Sequence, residues 1–155
     1  PTLAPTDAQC LCHPGMFSSD AGSSACSLCP VGRYADTAGL TECKICNAGS
    51  ITNTGTGTGA TTCTACPAGM YSTASNVAAC SACAAGKDVG TTGSSAVTDC
   101  IDCVAGKYVV AAGSDEAGDC IHGAAGTYVT ATGSDQASDC IDCGEGKYAD
   151  VTGSE

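Results

Sequence analysis

The sequence predicts a small, disulfide-rich fold that is mostly β and irregular: an elongated tandem array of disulfide-stapled, β-hairpin-like repeats with almost no helix. Three observations lead there. The 155 residues hold 15 cysteines, a density typical of cross-linked secreted scaffolds. Leu, Ile, Val and Phe together number only 19 and Trp is absent. The 43% hydrophobic content is therefore mostly Ala and Cys, too little bulky apolar surface for an ordinary core. Third, paired cysteines recur at a near-constant period. Without cross-links, this composition with a net charge of −11 would read as disordered.

The pairs are Cys26-x-x-Cys29, Cys43-x-x-Cys46, Cys63-x-x-Cys66, Cys80-x-x-Cys83, Cys100-x-x-Cys103 and Cys140-x-x-Cys143, with a tighter Cys10-x-Cys12 ahead of them. One unit is broken, because Gly123 stands where the partner of Cys120 in its pair belongs. Successive units start 17 or 20 residues apart, and segments 100–119 and 120–139 agree at 12 of 20 positions, the mark of internal duplication. The repeats are expected at 12–28, 29–45, 46–65, 66–82, 83–102, 103–122 and 123–142. A lead-in of 1–11 precedes them and an incomplete repeat, 143–155, follows.

A fixed grammar follows each pair. Three residues on comes a Gly: Gly15, Gly32, Gly49, Gly69, Gly86, Gly106, Gly126 and Gly146. Two further on sits a large side chain (Phe17, Tyr34, Ile51, Tyr71, Tyr108, Tyr128, Tyr148), with Asp88 the exception. Seven after the first Gly comes a second: Gly22, Gly39, Gly93, Gly113, Gly133 and Gly153, with Asn76 in one unit. Asn tolerates positive φ best among non-Gly residues, so this place is expected to be a left-handed turn. The three extra residues of the long units are expected after that turn, in a surface loop. Stretches such as Lys107-Tyr108-Val109-Val110 are β-prone, and no segment has a capped helical period. Thr54-Gly55-Thr56-Gly57-Thr58-Gly59 reads as a mobile or extended loop.

Several function classes are disfavoured by composition. Five Lys and Arg against sixteen Asp and Glu do not neutralise phosphates, so no nucleic-acid partner is expected. There is no apolar run of about 18 residues, so no membrane span is expected in this segment. No arrangement of Ser, His and Asp or of Cys and His suggests nucleophilic catalysis, and an enzyme is not expected. Regular cysteine pairs favour an extracellular or cell-surface location. Asn47, Asn53 and Asn76 all fail the N-glycosylation pattern, while 34 Ser and Thr offer acceptors for O-linked glycans.

Sequence does not fix disulfide connectivity, but the repeat suggests one rule: the second Cys of each pair closes a loop onto the first Cys of the next. That rule yields Cys12–Cys26, Cys29–Cys43, Cys46–Cys63, Cys66–Cys80, Cys83–Cys100 and Cys103–Cys120. Each bridge contributes roughly 3 kcal/mol by loop closure, against on the order of 20 kcal/mol to order its fifteen or so residues. Packing between repeats must supply the rest, with Phe17, Tyr34, Ile51, Tyr71, Tyr108, Tyr128 and Tyr148 as the expected stacking residues. Cys140 loses its partner to Gly123. Cys143 is expected to pair beyond Glu155 and Cys10 upstream, as in an excerpt of a longer array.

The pattern Cys-x-x-Cys-x-x-Gly-x-Tyr, as in Cys29-Pro30-Val31-Gly32-Arg33-Tyr34 and Cys66-Pro67-Ala68-Gly69-Met70-Tyr71, resembles the ephrin-receptor-like and growth-factor-receptor cysteine-rich repeats. Similar arrays occur in tumour-necrosis-factor-receptor-like modules and in surface proteins of protists and algae, whose Ala/Gly/Thr-rich, Trp-free composition this chain resembles more. The resemblance covers nearly the whole chain and implies small loops, each stapled by a disulfide, stacked end to end. Gly123 and Asp88 depart from the pattern and put one bridge and one stacking contact in question.

Metal and redox chemistry compete with these structural roles. Cys26, Cys29, Cys43 and Cys46 approach a four-Cys zinc ribbon in spacing, but the pairs continue without grouping into fours. Acidic neighbours such as Asp99, Asp102 and Asp142 oppose thiolate activation in a Cys-x-x-Cys. Asp99, Asp102, Asp119, Asp139 and Asp142, with Asp115 and Asp135, are weak calcium candidates near unit boundaries; a solvated acidic face explains them as well. His122 reads as a surface residue. The tyrosines could form a carbohydrate-stacking ladder but fit better as packing residues. No cofactor is expected apart from that calcium candidate. The expected role is a structural extracellular protein, a repeat-rod segment of a filament, sheath or cell-surface appendage of a unicellular eukaryote. Its partners would be other copies of itself or other extracellular structural proteins. The alternative is a ligand-binding receptor ectodomain or surface antigen, with the degenerate units 43–63 and 80–100 as contact sites.

Overall fold

The structure, a computed structural model, describes residues 11–20 and 25–145. Cys10, Gly22, Gly146, Tyr148 and Gly153, on which expectations were placed, lie outside the described residues.

Seven two-stranded antiparallel hairpins follow one another in tandem among the described residues. They pair Met16–Phe17 with Ser27–Leu28, Arg33–Tyr34 with Lys44–Ile45, and Ser50–Thr52 with Cys63–Ala65. Met70–Tyr71 pairs with Ser81–Ala82, Lys87–Asp88 with Ile101–Asp102, Lys107–Tyr108 with Ile121–His122, and Thr127–Tyr128 with Ile141–Asp142. Each hairpin joins the residues after the first Gly to those between the next paired cysteines. Among the described residues, helix is confined to three 3-10 turns, Val97–Asp99, Ala117–Asp119 and Ala137–Asp139.

The local cause is visible in the turn that opens each unit. The Arg33 N–H donates to the Pro30 carbonyl at 3.0 Å, and the same bond links Met70 to Pro67 and Lys107 to Val104. The third residue of such a turn needs positive φ, and Gly32 there has φ of 77°. A Cβ on Gly32 would also fall 2.5 Å from the Asn76 carbonyl oxygen, so both conformation and space require glycine. Asn76, with φ of 64°, is the left-handed residue expected at the second turn position.

The chain divides into two compact units. One comprises Pro1–Asn47, Ile51–Thr64 and Ser75–Ala79; the other comprises Ala48–Ser50, Ala65–Ala74 and Cys80–Glu155. In the first, the Gly15 N–H donates to the Ala35 carbonyl at 2.8 Å and the Ala35 N–H to the Ala60 carbonyl at 3.0 Å. The turn residues Gly39, Gly59 and Asn76 donate to the carbonyls of Cys12, Cys29 and Cys46. Cys29, Ala35 and Cys43 form its buried cluster, with Phe17 and Leu40 packed against it.

The second unit repeats this backbone ladder with different side chains. Gly69 donates to Val89 and Val89 to Ser114; Gly86 donates to Val109 and Val109 to Ser134. Gly93, Gly113 and Gly133 donate to the carbonyls of Cys66, Cys83 and Cys103. Its buried clusters are Cys83, Val89 and Cys100, with Tyr71 against them, and Cys103, Val109 and Cys120. Because every rung joins backbone groups, the side chains at rung positions can be as small as Ala or Ser and still leave no buried amide unpaired.

Two expectations about loops need correcting. In the 46–63 unit the extra residues precede the turn rather than follow it: Gly59, with φ of 75°, makes the bond to Cys29 that marks the turn position. In the long units after residue 83 they do follow it, as the 3-10 turns. The Thr54–Gly59 stretch is not an extended loop. Gly55 donates to Thr52, Gly57 to Thr54, and the Thr54 hydroxyl to the Gly57 carbonyl. Alternating Thr and Gly supply a hydroxyl donor and a compact backbone at the spacing of successive turns.

Candidate functional site

The cysteines are the first chemically distinctive set. The structure bridges Cys12–Cys26, Cys29–Cys43, Cys46–Cys63, Cys66–Cys80, Cys83–Cys100 and Cys103–Cys120, with Cα–Cα separations of 5.6 to 5.8 Å. The opening cysteine of every loop is buried. The zinc-ribbon candidates Cys26, Cys29, Cys43 and Cys46 sit in three different bridges, and a bridged sulfur is not a thiolate ligand. Cys140 and Cys143 are half-buried free thiols. Gly123 is buried beside Cys140. A Cβ built on it would lie 3.8 Å from the Cys140 Cβ, the usual separation across a disulfide.

The stacking candidates follow the hairpins. Phe17 packs on the cluster containing the Cys29–Cys43 bridge and Tyr71 on that containing Cys83–Cys100. Each therefore covers the disulfide of the next repeat. Tyr34 forms a parallel β-bridge with Ala60 and Tyr108 one with Ser134, while Lys44 Nζ stands 6.0 Å from the Tyr34 ring centroid. Ile51 and Tyr128 are half-buried in their strands.

The calcium candidates are not gathered. The Asp99 Oδ2 accepts the backbone N–H groups of Ser95 and Ala96 at 2.8 and 3.0 Å. Asp119 accepts that of Asp115, and Asp139 those of Asp135 and Gln136. Asp99 and Asp139 close their 3-10 turns as an acidic residue at the third position of a capping box does, while Asp119 bonds the residue before its N-cap Glu116. Asp102 is ion-paired with Lys87, and Asp142 and His122 are exposed on their strands. A further ion pair joins Lys44 to Asp36 at 2.8 Å. The hydrogen bond from Lys44 holds the Asp36 carboxyl below its ordinary value of 3.8, and Asp36 in turn raises Lys44.

One site emerged that the sequence had marked only as a departure. Asp88, Cys103 and Cys120 converge, with ligand-type atoms all within 4.8 Å of one another. The Asp88 Oδ1 lies 3.7 Å from the Cys120 Sγ. Beside them opens a cavity of about 240 Å³. A second depression, of about 430 Å³, lies along Thr130–Ser134, Ser138 and Ile141. Also unforeseen were the rung residues Ser94, Ser114 and Ser134, buried and identical at a spacing of 20. That identity was the available signal.

Two stretches, residues 15–57 and 54–100, match the family model described as Tyrosine-protein kinase ephrin type A/B receptor-like, and together they span more than half of the chain. No curated protein matches the sequence significantly.

Proposed function

Because the chain belongs to the ephrin type A/B receptor-like family of cysteine-rich repeats, we propose that it is a structural extracellular protein, a repeat segment of a filament, sheath or cell-surface appendage. Six consecutive bridges support an oxidising, extracellular or cell-surface setting. No helix among the described residues is long and apolar enough to cross a membrane.

The observation that carries the structural reading is the recurrence of one backbone ladder. Within each compact unit, a repeat offers the next the same donors and acceptors, so the pattern propagates without depending on side-chain identity. Exposed isoleucines support contacts between chains. Ile101, Ile121 and Ile141 recur every 20 residues and are 49 to 64% exposed. On this reading the partners are other copies of the chain or other extracellular structural proteins, with glycans on its Ser and Thr. On the same reading the chain is not an enzyme and needs no cofactor beyond the calcium candidate.

Electron microscopy and sedimentation of the unreduced chain test this. Ordered fibres or defined oligomers that Ile101→Asp and Ile121→Asp weaken are the expected result. A chain that stays monomeric at high concentration, and whose 43–63 or 80–100 loops become protected by a ligand, would replace it with the receptor or antigen reading.

A further inference from the structure

Asp88 occupies the place that an aromatic or aliphatic side chain takes in every other repeat. At that place Phe17 and Tyr71 cover the following disulfide. Asp88 stands against the corresponding bridge, Cys103–Cys120, but a carboxylate is far smaller than a phenol ring. The cavity beside it, about 240 Å³, is walled by Ile101, Val104, Ala117 and the bridge itself. An aromatic residue at position 88 would fill much of this space.

The carboxylate is the unusual part. Asp88 is only 8% exposed, and among the described residues its side chain contacts the Cys120 sulfur at 3.7 Å. A sulfur in a disulfide has no hydrogen to donate. Buried carboxylates normally carry a hydrogen-bond donor or a cation. Asp102 borders the same cavity but is committed to Lys87. Lys107 also lines it and makes no ion pair among the described residues.

We propose that this cavity binds a primary alkylammonium group, with the ammonium on Asp88 and the alkyl stem along Ile101, Val104 and the disulfide. A divalent hard cation requires six or more oxygen ligands, whereas the only carboxylates lining this cavity are those of Asp88 and Asp102, the latter paired with Lys87. Zinc requires thiolate or imidazole ligands, and both sulfurs are bridged. An ammonium needs one buried carboxylate and gains from an apolar channel for its stem. The net charge of −11 enriches cations at the surface. The ammonium can come from a free amine or from a lysyl side chain of another protein. The site stands whether the chain is a filament segment or a receptor ectodomain.

The test is an amide-resolved NMR titration of the intact, oxidised chain with n-butylammonium chloride, with n-butanol as the neutral isostere, and with a capped lysine tripeptide. The expected result is saturable shifts at Asp88, Ile101, Val104 and Ala117 with the ammonium and none with the alcohol. Asp88→Asn should weaken binding at least tenfold. Asp88→Tyr, which installs the residue that other repeats carry and so should retain the fold, should abolish it. Tighter binding of the tripeptide identifies a protein lysine as the natural source, and tighter binding of the free amine a small molecule. No saturable shift at these residues, equal shifts with n-butanol, or undiminished binding to Asp88→Asn would overturn the proposal. Binding that appears only in Lys107→Met would overturn it too, since Lys107 would then be the counterion of Asp88.

Discussion

Replacing Gly123 with Cys should complete a seventh bridge, to Cys140. The repeat supplies the motive, since Gly123 holds the place of a paired cysteine, and the structure supplies the geometry. A Cβ at Gly123 would lie 3.8 Å from the Cys140 Cβ, within the range of about 3.5–4.5 Å that disulfides need. Gly123 is not among the positive-φ residues, so a side chain there carries no left-handed strain. The built Cβ also falls 3.0 Å from the Cys140 Sγ and 3.1 Å from the Thr127 Oγ1. Bond formation removes the first crowding, and the second requires the Thr127 hydroxyl to shift from its hydrogen bond with the Ala124 carbonyl.

The closed loop would have the 17-residue separation of three native bridges, for which loop-closure entropy predicts about 3 kcal/mol. Removing a glycine from the unfolded chain adds roughly 0.4–1 kcal/mol. Together they predict a rise in Tm of about 7–16 °C. The assay combines unreduced peptide mapping, alkylation of Cys140 in the native state, and thermal unfolding followed by circular dichroism. Gly123→Ser serves as the control, with no cross-link and no comparable rise. If Cys140 of the Gly123→Cys variant still alkylates at the wild-type rate, or if the bridge forms and Tm falls, the reasoning from repeat geometry is refuted.

Three further outcomes are expected. Gly32→Ala should destabilise its compact unit by about 2 kcal/mol in urea unfolding, because the left-handed conformation alone costs an L-residue about 1–2 kcal/mol and the new Cβ meets the Asn76 carbonyl. Asp99→Ala should cost about 1 kcal/mol by removing the cap of its 3-10 turn, and a chelator should leave the melting curve of the wild type unchanged, because the Asp99 carboxylate already accepts two backbone N–H groups. Asp36 should titrate below 3.8 by carbon-detected NMR and return toward that value in Lys44→Met. Since its folded pKa is depressed, the pair's contribution is complete above the unfolded value and disappears as pH falls through the folded one.

Much of the fold was legible because it is local and repeated. The interval from each Cys to the following Gly sets a turn, the turn sets a hairpin of two- or three-residue strands, and the left-handed place shared by Gly39 and Asn76 declares itself through the non-glycine residue that tolerates it best. The serial rule for the cysteines describes the bridges in the structure because loops of 14 and 17 residues leave each cysteine close to the next. The position of the extra residues in the 46–63 unit was not legible. The bond to Cys29 that marks the turn falls at Gly59. Three glycines within five residues made any of them conformationally acceptable, and only a neighbouring repeat selects among them.

The sequence by itself determined the disulfide-rich class, the hairpin unit and the absence of a conventional core, since these follow from residue count and spacing. Tertiary structure alone decided what the departures from the repeat do. The carboxylates of Asp99, Asp119 and Asp139 are directed to backbone amides, partners that no spacing rule assigns. Asp88 looked like a lost packing residue and became a buried carboxylate beside a cavity. The reason is physical: a side chain's partners come from the repeat stacked against it, and the separation between Asp88 and Cys120 is 32 residues, beyond the reach of any local pattern.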